Sequence, residues 1–309
     1  MFSLVKKKQE FIWFDGKVVP ENQIRVSVKA HSLHYGTAVF EGIRAYHHGN
    51  GLYVFRLKDH LRRMAESARM IHLDSPFSDN QLEEGVLDLL RKNNFRTSVY
   101  IRPITYVGEG ELSLDFRSHS KHSAIYAFPY TSYFQGSGLR VMVSSWRRIS
   151  QASLIPRAKA SANYLNSCMA TVEAKLAGYD EAVLLDEDGR IAEGSGENLF
   201  IVRKGVVITP PTYSPILLGI TRDTVLKLAE DAGLAILERP VERSELYAAD
   251  EVFFTGTACE VEPILEVDGR KVGPGGPGKV TTMLRTSYDR VVTGRSRKYK
   301  DWLTSVYPA

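Results

Sequence analysis

In the N-terminal part of the chain, short apolar runs are broken by turn residues. Phe11–Phe14 and Lys17–Pro20 flank Asp15-Gly16 and predict a hairpin with an Asp-Gly turn. Residues 24–28 predict a further strand, His31-Ser32-Leu33-His34-Tyr35-Gly36 leads into residues 39–44, and residues 52–55 predict another short strand. From Lys58 the period lengthens: Leu61, Met64, Ala65, Ala68 and Ile71 recur at helical spacing, with basic residues between them. A second helix is expected over residues 79–92, opened by an acid and ended near Asn93-Asn94. Strands return at Val99–Val107 and at residues 124–128, and the glycines and hydroxyls of residues 130–138 mark a domain boundary.

Beyond the boundary, residues 141–146 predict a strand and residues 162–177 a helix ended by Gly178. Two hairpins follow. Glu181–Leu185 pairs with residues 190–193 across Asp186-Glu187-Asp188-Gly189, and residues 198–202 pair with Val206–Thr209 across Arg203-Lys204-Gly205. Gly219-Ile220-Thr221-Arg222-Asp223 opens an amphipathic helix through Asp231. Val241 opens a strand, residues 250–255 form another, Gly256-Thr257-Ala258 makes a tight turn, and a last helix begins near Lys279. Strands, hairpins and helices without a βα repeat argue for α+β rather than a doubly wound sheet. The expected domains are a smaller N-terminal α+β unit (1–129), an interdomain loop (130–138) and a larger C-terminal unit (139–309), consistent with the two domains that 309 residues suggest.

Composition narrows the function classes. The net charge of +4 is the small difference of 40 basic and 36 acidic residues, and the basic clusters lie near the termini, so nucleic-acid binding is disfavoured. Cys168 and Cys259 lie far apart, which argues against a metal knuckle or a disulfide framework, and no metal is expected. No apolar run reaches membrane-spanning length and no signal-peptide core is present, so a cytoplasmic protein is expected.

The stretch Arg157-Ala158-Lys159-Ala160-Ser161-Ala162-Asn163-Tyr164 sets a lysine among small residues just after a strand. Small neighbours leave room beside Lys159, and an ammonium in a partly desolvated pocket loses its proton readily, as a Schiff-base lysine must. Gly219-Ile220-Thr221 at a helix start offers N–H groups and a hydroxyl suited to a phosphate, although a plain N-cap reads the same way. Gly256-Thr257-Ala258 offers a second set of N–H groups. Glu193 sits between Ala192 and Gly194, where small residues permit close approach of a flat ligand. A lysine, an acid and two anion sites together suggest pyridoxal 5'-phosphate.

The chain resembles the fold-type IV pyridoxal-phosphate enzymes, and among them the branched-chain amino acid aminotransferases. The resemblance runs through His34-Tyr35-Gly36, Val39-Phe40-Glu41-Gly42-Ile43-Arg44, Tyr100-Ile101-Arg102-Pro103, Ala158-Lys159 with Asn163-Tyr164, residues 193–200, Gly219-Ile220-Thr221-Arg222 and Gly256-Thr257-Ala258. It implies a two-domain α+β fold and a homodimer or larger homo-oligomer. It also implies reversible amino transfer from L-leucine, L-isoleucine or L-valine to 2-oxoglutarate by a ping-pong route. By resemblance, Lys159 carries the cofactor and moves the proton, Glu193 holds the ring nitrogen, Tyr164 meets the phenolic oxygen and Leu217 packs on the ring. Arg63, Ile220, Thr221 and Thr257 hold the phosphate. Tyr35, Phe40 and Tyr133 line the side-chain pocket, Arg102 meets a distal carboxylate, and Tyr100, Thr257 and Ala258 receive the α-carboxylate, with Gly42 giving room.

One stretch departs from that resemblance. Where the family commonly has a glycine-rich loop that crosses to the partner's pocket, this chain reads Glu109-Gly110-Glu111-Leu112-Ser113-Leu114-Asp115-Phe116-Arg117. The alternatives are a same-fold D-amino acid or (R)-amine transaminase, an aminodeoxychorismate lyase, or a non-catalytic small-molecule binder.

Overall fold

The computed structural model describes residues 10–131, 134 and 138–307. These fall into two units, one running to Tyr130 and including the chain from Thr304 onward, the other Thr131–Leu303.

The first unit opens with the expected hairpin, β1 (Phe11–Phe14) and β2 (Lys17–Pro20), with Phe14 opposite Lys17. Asp15 and Gly16 both take positive φ (46° and 88°), the backbone that a two-residue turn between twisted strands requires. Residues 24–28 form no strand. The Ile24 N–H closes a turn onto Glu21 O, and Val26 and Val28 remain exposed, so the apolar run has no sheet face to bury against. A short helix the pattern did not suggest, α1 (His31–Tyr35), follows and ends at Gly36 in the left-handed region. Next come β3 (Ala38–Phe40), β4 (Ile43–His48), β5 (Gly51–Phe55), α2 (Leu57–Met70), α3 (Asp79–Asn93), β6 (Val99–Val107) and β7 (Lys121–Pro129). Ser78 and Gln81 cap α3 reciprocally, satisfying two N–H groups that a helix start leaves unpaired. The sheet order is Leu303–Ser305, β5, β4, β6, β7, β1, β2, with β3 also on β6. Leu61, Leu82, Val86 and Leu89 of the two long helices share one core with Trp13, Ile43 and Ile101 of the sheet.

In the second unit β8 (Leu139–Arg147), α4 (Tyr164–Leu176) and β9 (Glu181–Leu185) form a βαβ crossover whose strands pair in parallel. Then follow β10 (Ile191–Gly194), β11 (Asn198–Arg203), β12 (Val206–Thr209), α5 (Ile220–Asp231), β13 (Ile236–Glu238), α6 (Arg243–Ala248), β14 (Glu251–Gly256), β15 (Glu260–Val267), β16 (Arg270–Lys271) and α7 (Lys279–Val292). The sheet order is β10-β9-β8-β15-β14-β11-β12-β13, with β16 on β15. Parallel and antiparallel pairs are mixed, and the class is α+β. Val241 does not open a strand. Its carbonyl accepts from Ile191 N–H, and Glu242 with Glu245 caps α6 instead.

The expected split gave residues 139–309 to the second unit. The chain from Thr304 instead lies with the first, because Val306 is fully buried in that core and bonds to Leu52 O and Arg91 Nε. No helix among the described residues is long and apolar enough to cross a membrane.

Candidate functional site

In the second unit the candidate residues lie on the ends of strands and helices. Ala158 and Ala160 beside Lys159 are buried, and Asn163 Nδ2 donates to Ile155 O and Ala158 O (both 2.9 Å), tying the lysine's loop to the start of α4. Tyr164 is the first residue of that helix, and Lys159 Nζ lies 5.5 Å from the centre of its ring.

Glu193 is buried on β10, where the pairing with β9 slips by one residue between Ile191 and Glu193; such a bulge re-aims a side chain. Arg148 Nε donates to its Oε1 (2.7 Å), while Asn198 Nδ2 (3.1 Å) and Leu217 N (3.0 Å) donate to Oε2. Burial pushes the Glu193 carboxyl up from the ordinary carboxylate range, and the Arg148 charge opposes it. Asn198 Nδ2 also donates to Leu217 O (2.8 Å), so one amide locks both the acid and the backbone of Leu217. Sequence reading named neither Arg148 nor Asn198. The Arg148 partnership runs across the sheet and that of Asn198 around the turn after β10, and neither residue type signals it.

Ile220 and Thr221 begin α5, whose N-cap Gly219 makes no side-chain cap bond; a β-carbon on Gly219 would stand 2.0 Å from Asn198 Oδ1. Thr257 and Ala258 occupy the turn between β14 and β15. Thr255, paired with Asn198 across β14 and β11, has a buried hydroxyl with no hydrogen-bond partner among the described residues.

In the first unit Tyr100 and Arg102 on β6 meet Phe40 on β3. Arg102 Nη2 donates to Tyr100 Oη (3.2 Å), and its guanidinium lies 4.8 Å from the Phe40 ring centre. A β-carbon on Gly42 would come within 1.9 Å of Tyr100 Oη, so the absence of a side chain there accommodates the tyrosine hydroxyl. Arg63 of α2 is occupied in a way not foreseen: Nε and Nη2 bind the two oxygens of fully buried Glu41 (2.6 and 2.8 Å), joined by His60 Nδ1 (2.8 Å). Burial alone would raise the Glu41 carboxyl, but Arg63 and His60 together hold it far below the usual range.

Tyr35 does not join Phe40, Tyr100 and Arg102. It lies at the end of α1 in a cavity of about 290 Å³ lined by His31, His34, His119 and residues 110–113, none of which belongs to that cluster. His31 Nε2 bonds Ser113 O (3.0 Å) and His119 Nε2 bonds Glu111 O (2.8 Å), pinning the departing loop while Leu112 and Leu114 stand exposed. Tyr133 lies outside the described residues.

Residues 38–267 match the family model for amino-transferase class IV. The chain belongs to this family. Among relatives of the class IV aminotransferases, the branched-chain-amino-acid aminotransferase of Escherichia coli (strain K12) is 41% identical over 308 residues, 98% of this chain and 99% of that one. The crystal structure of branched-chain aminotransferase from Thermoproteus uzoniensis with norvaline has a TM-score of 0.94 at 47% identity, covering 97% of this chain and 100% of that one. The crystal structure of branched-chain amino acid aminotransferase from Thermobaculum terrenum in its PLP form has a TM-score of 0.92 at 40% identity, covering 97% of this chain and 99% of that one. At these TM-scores both structures share the fold of this chain.

Proposed function

We propose that this chain is a branched-chain-amino-acid aminotransferase that moves the amino group of L-leucine, L-isoleucine or L-valine to 2-oxoglutarate with pyridoxal 5'-phosphate. The observation that carries this reading is the likeness along nearly the whole chain to an enzyme of that name, at 41% identity. The donor set fits the cofactor. A buried acid, an uncapped helix start cleared by Gly219, and a buried threonine hydroxyl lacking a partner are groups that a cationic ring and a phosphate satisfy.

When bound, pyridoxal phosphate supplies a carbonyl that condenses with amines and a ring that withdraws electrons from the bond being broken. Lys159 would hold it, and its amine would take and return the proton at the substrate α-carbon. Glu193, kept ionised by Arg148, holds the ring nitrogen in its protonated form. Tyr164 would donate to the phenolic oxygen and Leu217 would cover the ring. Ile220, Thr221, Thr257 and Arg63 would bind the phosphate. Phe40 accepts an apolar side chain and Arg102 a second carboxylate, which suits alternate substrates of a two-stage transfer; Tyr100, Thr257 and Ala258 receive the α-carboxylate.

The enzyme works in the cytoplasm as at least a homodimer, with Tyr35 and residues 109–117 completing the pocket of a second copy. In a half-reaction assay, L-leucine and L-glutamate convert the aldehyde form of the cofactor to the amine form. Conversion by D-alanine with none by L-leucine would overturn the assignment.

A further inference from the structure

Between Glu193 and Asn198 the chain doubles back, and this turn carries a second buried acid, Glu197, to which the chemistry above gives no role. Its carbonyl accepts from Gly194 N (2.7 Å) and its Oε2 accepts from Gly196 N (3.0 Å). A β-carbon on Gly194 would lie 2.8 Å from Glu197 Oε2, and one on Gly256 would lie 3.4 Å from its Cγ. The side chain is therefore clamped between the end of β10, which bears Glu193, and the start of the Gly256-Thr257-Ala258 turn.

Glu181 on β9 is a companion, almost wholly buried, accepting from Ala182 N (2.7 Å) and Thr171 Oγ1 (3.3 Å). The contrast with the other buried acids is decisive. Glu41 is matched by Arg63 and Glu193 by Arg148, whereas burial outweighs the charge of Lys175 at Glu181 and of Lys159 at Glu197. Burial of a carboxylate favours its protonated form.

We propose that Glu197 is a protonated, neutral acid in the working enzyme and a positioning residue for the anion at the Gly256-Thr257-Ala258 turn: an uncharged floor lets phosphate or carboxylate rest there. The proposal rests on the reading of Thr257 as an anion-binding residue. The groups facing Glu197 fit it. Burial, then the charge of Glu181, push it up to about 8, and Glu193 on β10 adds to this, while Gly196 N–H and Lys159 oppose. From the β14–β15 side, Cys259 is itself pushed up by burial and by the charges of Glu197, Glu262 and Glu260, so it brings no positive charge.

The test measures pyridoxal phosphate affinity of the apoenzyme from about pH 6.5 to pH 9 for the natural chain and for Glu197→Gln, which keeps the shape and stays neutral. The two bind alike at the acid end. Above pH 8 the natural chain weakens relative to the variant by about tenfold per pH unit. A constant ratio across the range would mean that no change of charge at Glu197 reaches the anion, and would overturn the proposal. Glu181→Gln is the second variant: removing that neighbour moves the onset of weakening to lower pH, and an unmoved onset counts against the pair.

Denaturant unfolding of the apo protein reads the same proton without any ligand. Because the folded state holds a proton that the unfolded chain loses near pH 4.5, stability falls from there up to pH 8. The fall is shallower in Glu197→Gln, and an identical slope would overturn the proposal. Thr257→Ala separates the two readings. If it leaves affinity unchanged at every pH, the anion site is misassigned, whereas the unfolding profile still reports on Glu197.

Discussion

Glu193 and Glu41 are both buried acids held by an arginine, yet burial prevails at one and the cations at the other. Glu41 takes two guanidinium bonds and a histidine; Glu193 takes one guanidinium bond and two neutral amides. Charge-assisted bonds are the stronger kind, so the balance follows from the donor count. Replacing Arg148 by Met removes the largest group opposing burial at Glu193, whose carboxyl rises further. Because activity needs the ionised form, the acid limb of the kcat/KM profile moves to higher pH and kcat falls by about 10²-fold, as pH–rate measurements would show. Glu41→Gln strands Arg63 and His60 and costs about 3–5 kcal/mol near neutral pH, measured by urea unfolding. Since the folded-state value at Glu41 is depressed, its stabilisation is present above about pH 4.5 and is lost below. The gap between natural chain and variant therefore narrows on acidification. Lys159 and Glu193 were legible because small residues flank them. Arg148 was not, since its partner lies 45 positions ahead and only the β10 bulge aims the two together.

At the scale of elements, legibility followed locality. The β1–β2 hairpin, α3 and α5 were readable because an Asp-Gly turn, an acidic helix start and a helical apolar period all act within a few residues. Residues 24–28 had strand composition but no partner, and the parallel pairing of β8 with β9 depends on α4 carrying the chain back across. Glycines at element ends tie these features to the site. A methyl group on Gly219 would collide with Asn198 Oδ1, the side chain that orients both Glu193 and Leu217. Gly219→Ala therefore weakens pyridoxal phosphate binding by about tenfold or more, read by equilibrium dialysis. Gly42→Ala, which drives into Tyr100 Oη from the first sheet, leaves cofactor affinity unchanged and raises KM for L-leucine instead. Equal effects of the two on cofactor affinity would contradict these separate roles of Gly219 and Gly42.

For the whole molecule, the arrangement of Tyr35 is the feature that one chain does not explain. Its cavity contains the pinned loop 110–113 and three histidines but none of Phe40, Tyr100 or Arg102. Near it in sequence or across it, Val28, Leu33, Leu112 and Leu114 remain largely exposed, an apolar content that a second copy of the chain would cover. If Tyr35 serves the other copy's pocket, defects in different chains complement. A Lys159→Ala chain lacks the proton carrier but supplies a good Tyr35; a Tyr35→Ala chain has the carrier but spoils its neighbour. In a dimer containing one of each, one site has both defects and the other has neither. Random reassortment makes half the dimers hybrid, with one sound site in two, so mixing two nearly inactive preparations after denaturation and refolding restores about a quarter of the natural activity. If Tyr35 acted within its own chain, every site in every combination would carry a defect, and mixing would restore nothing.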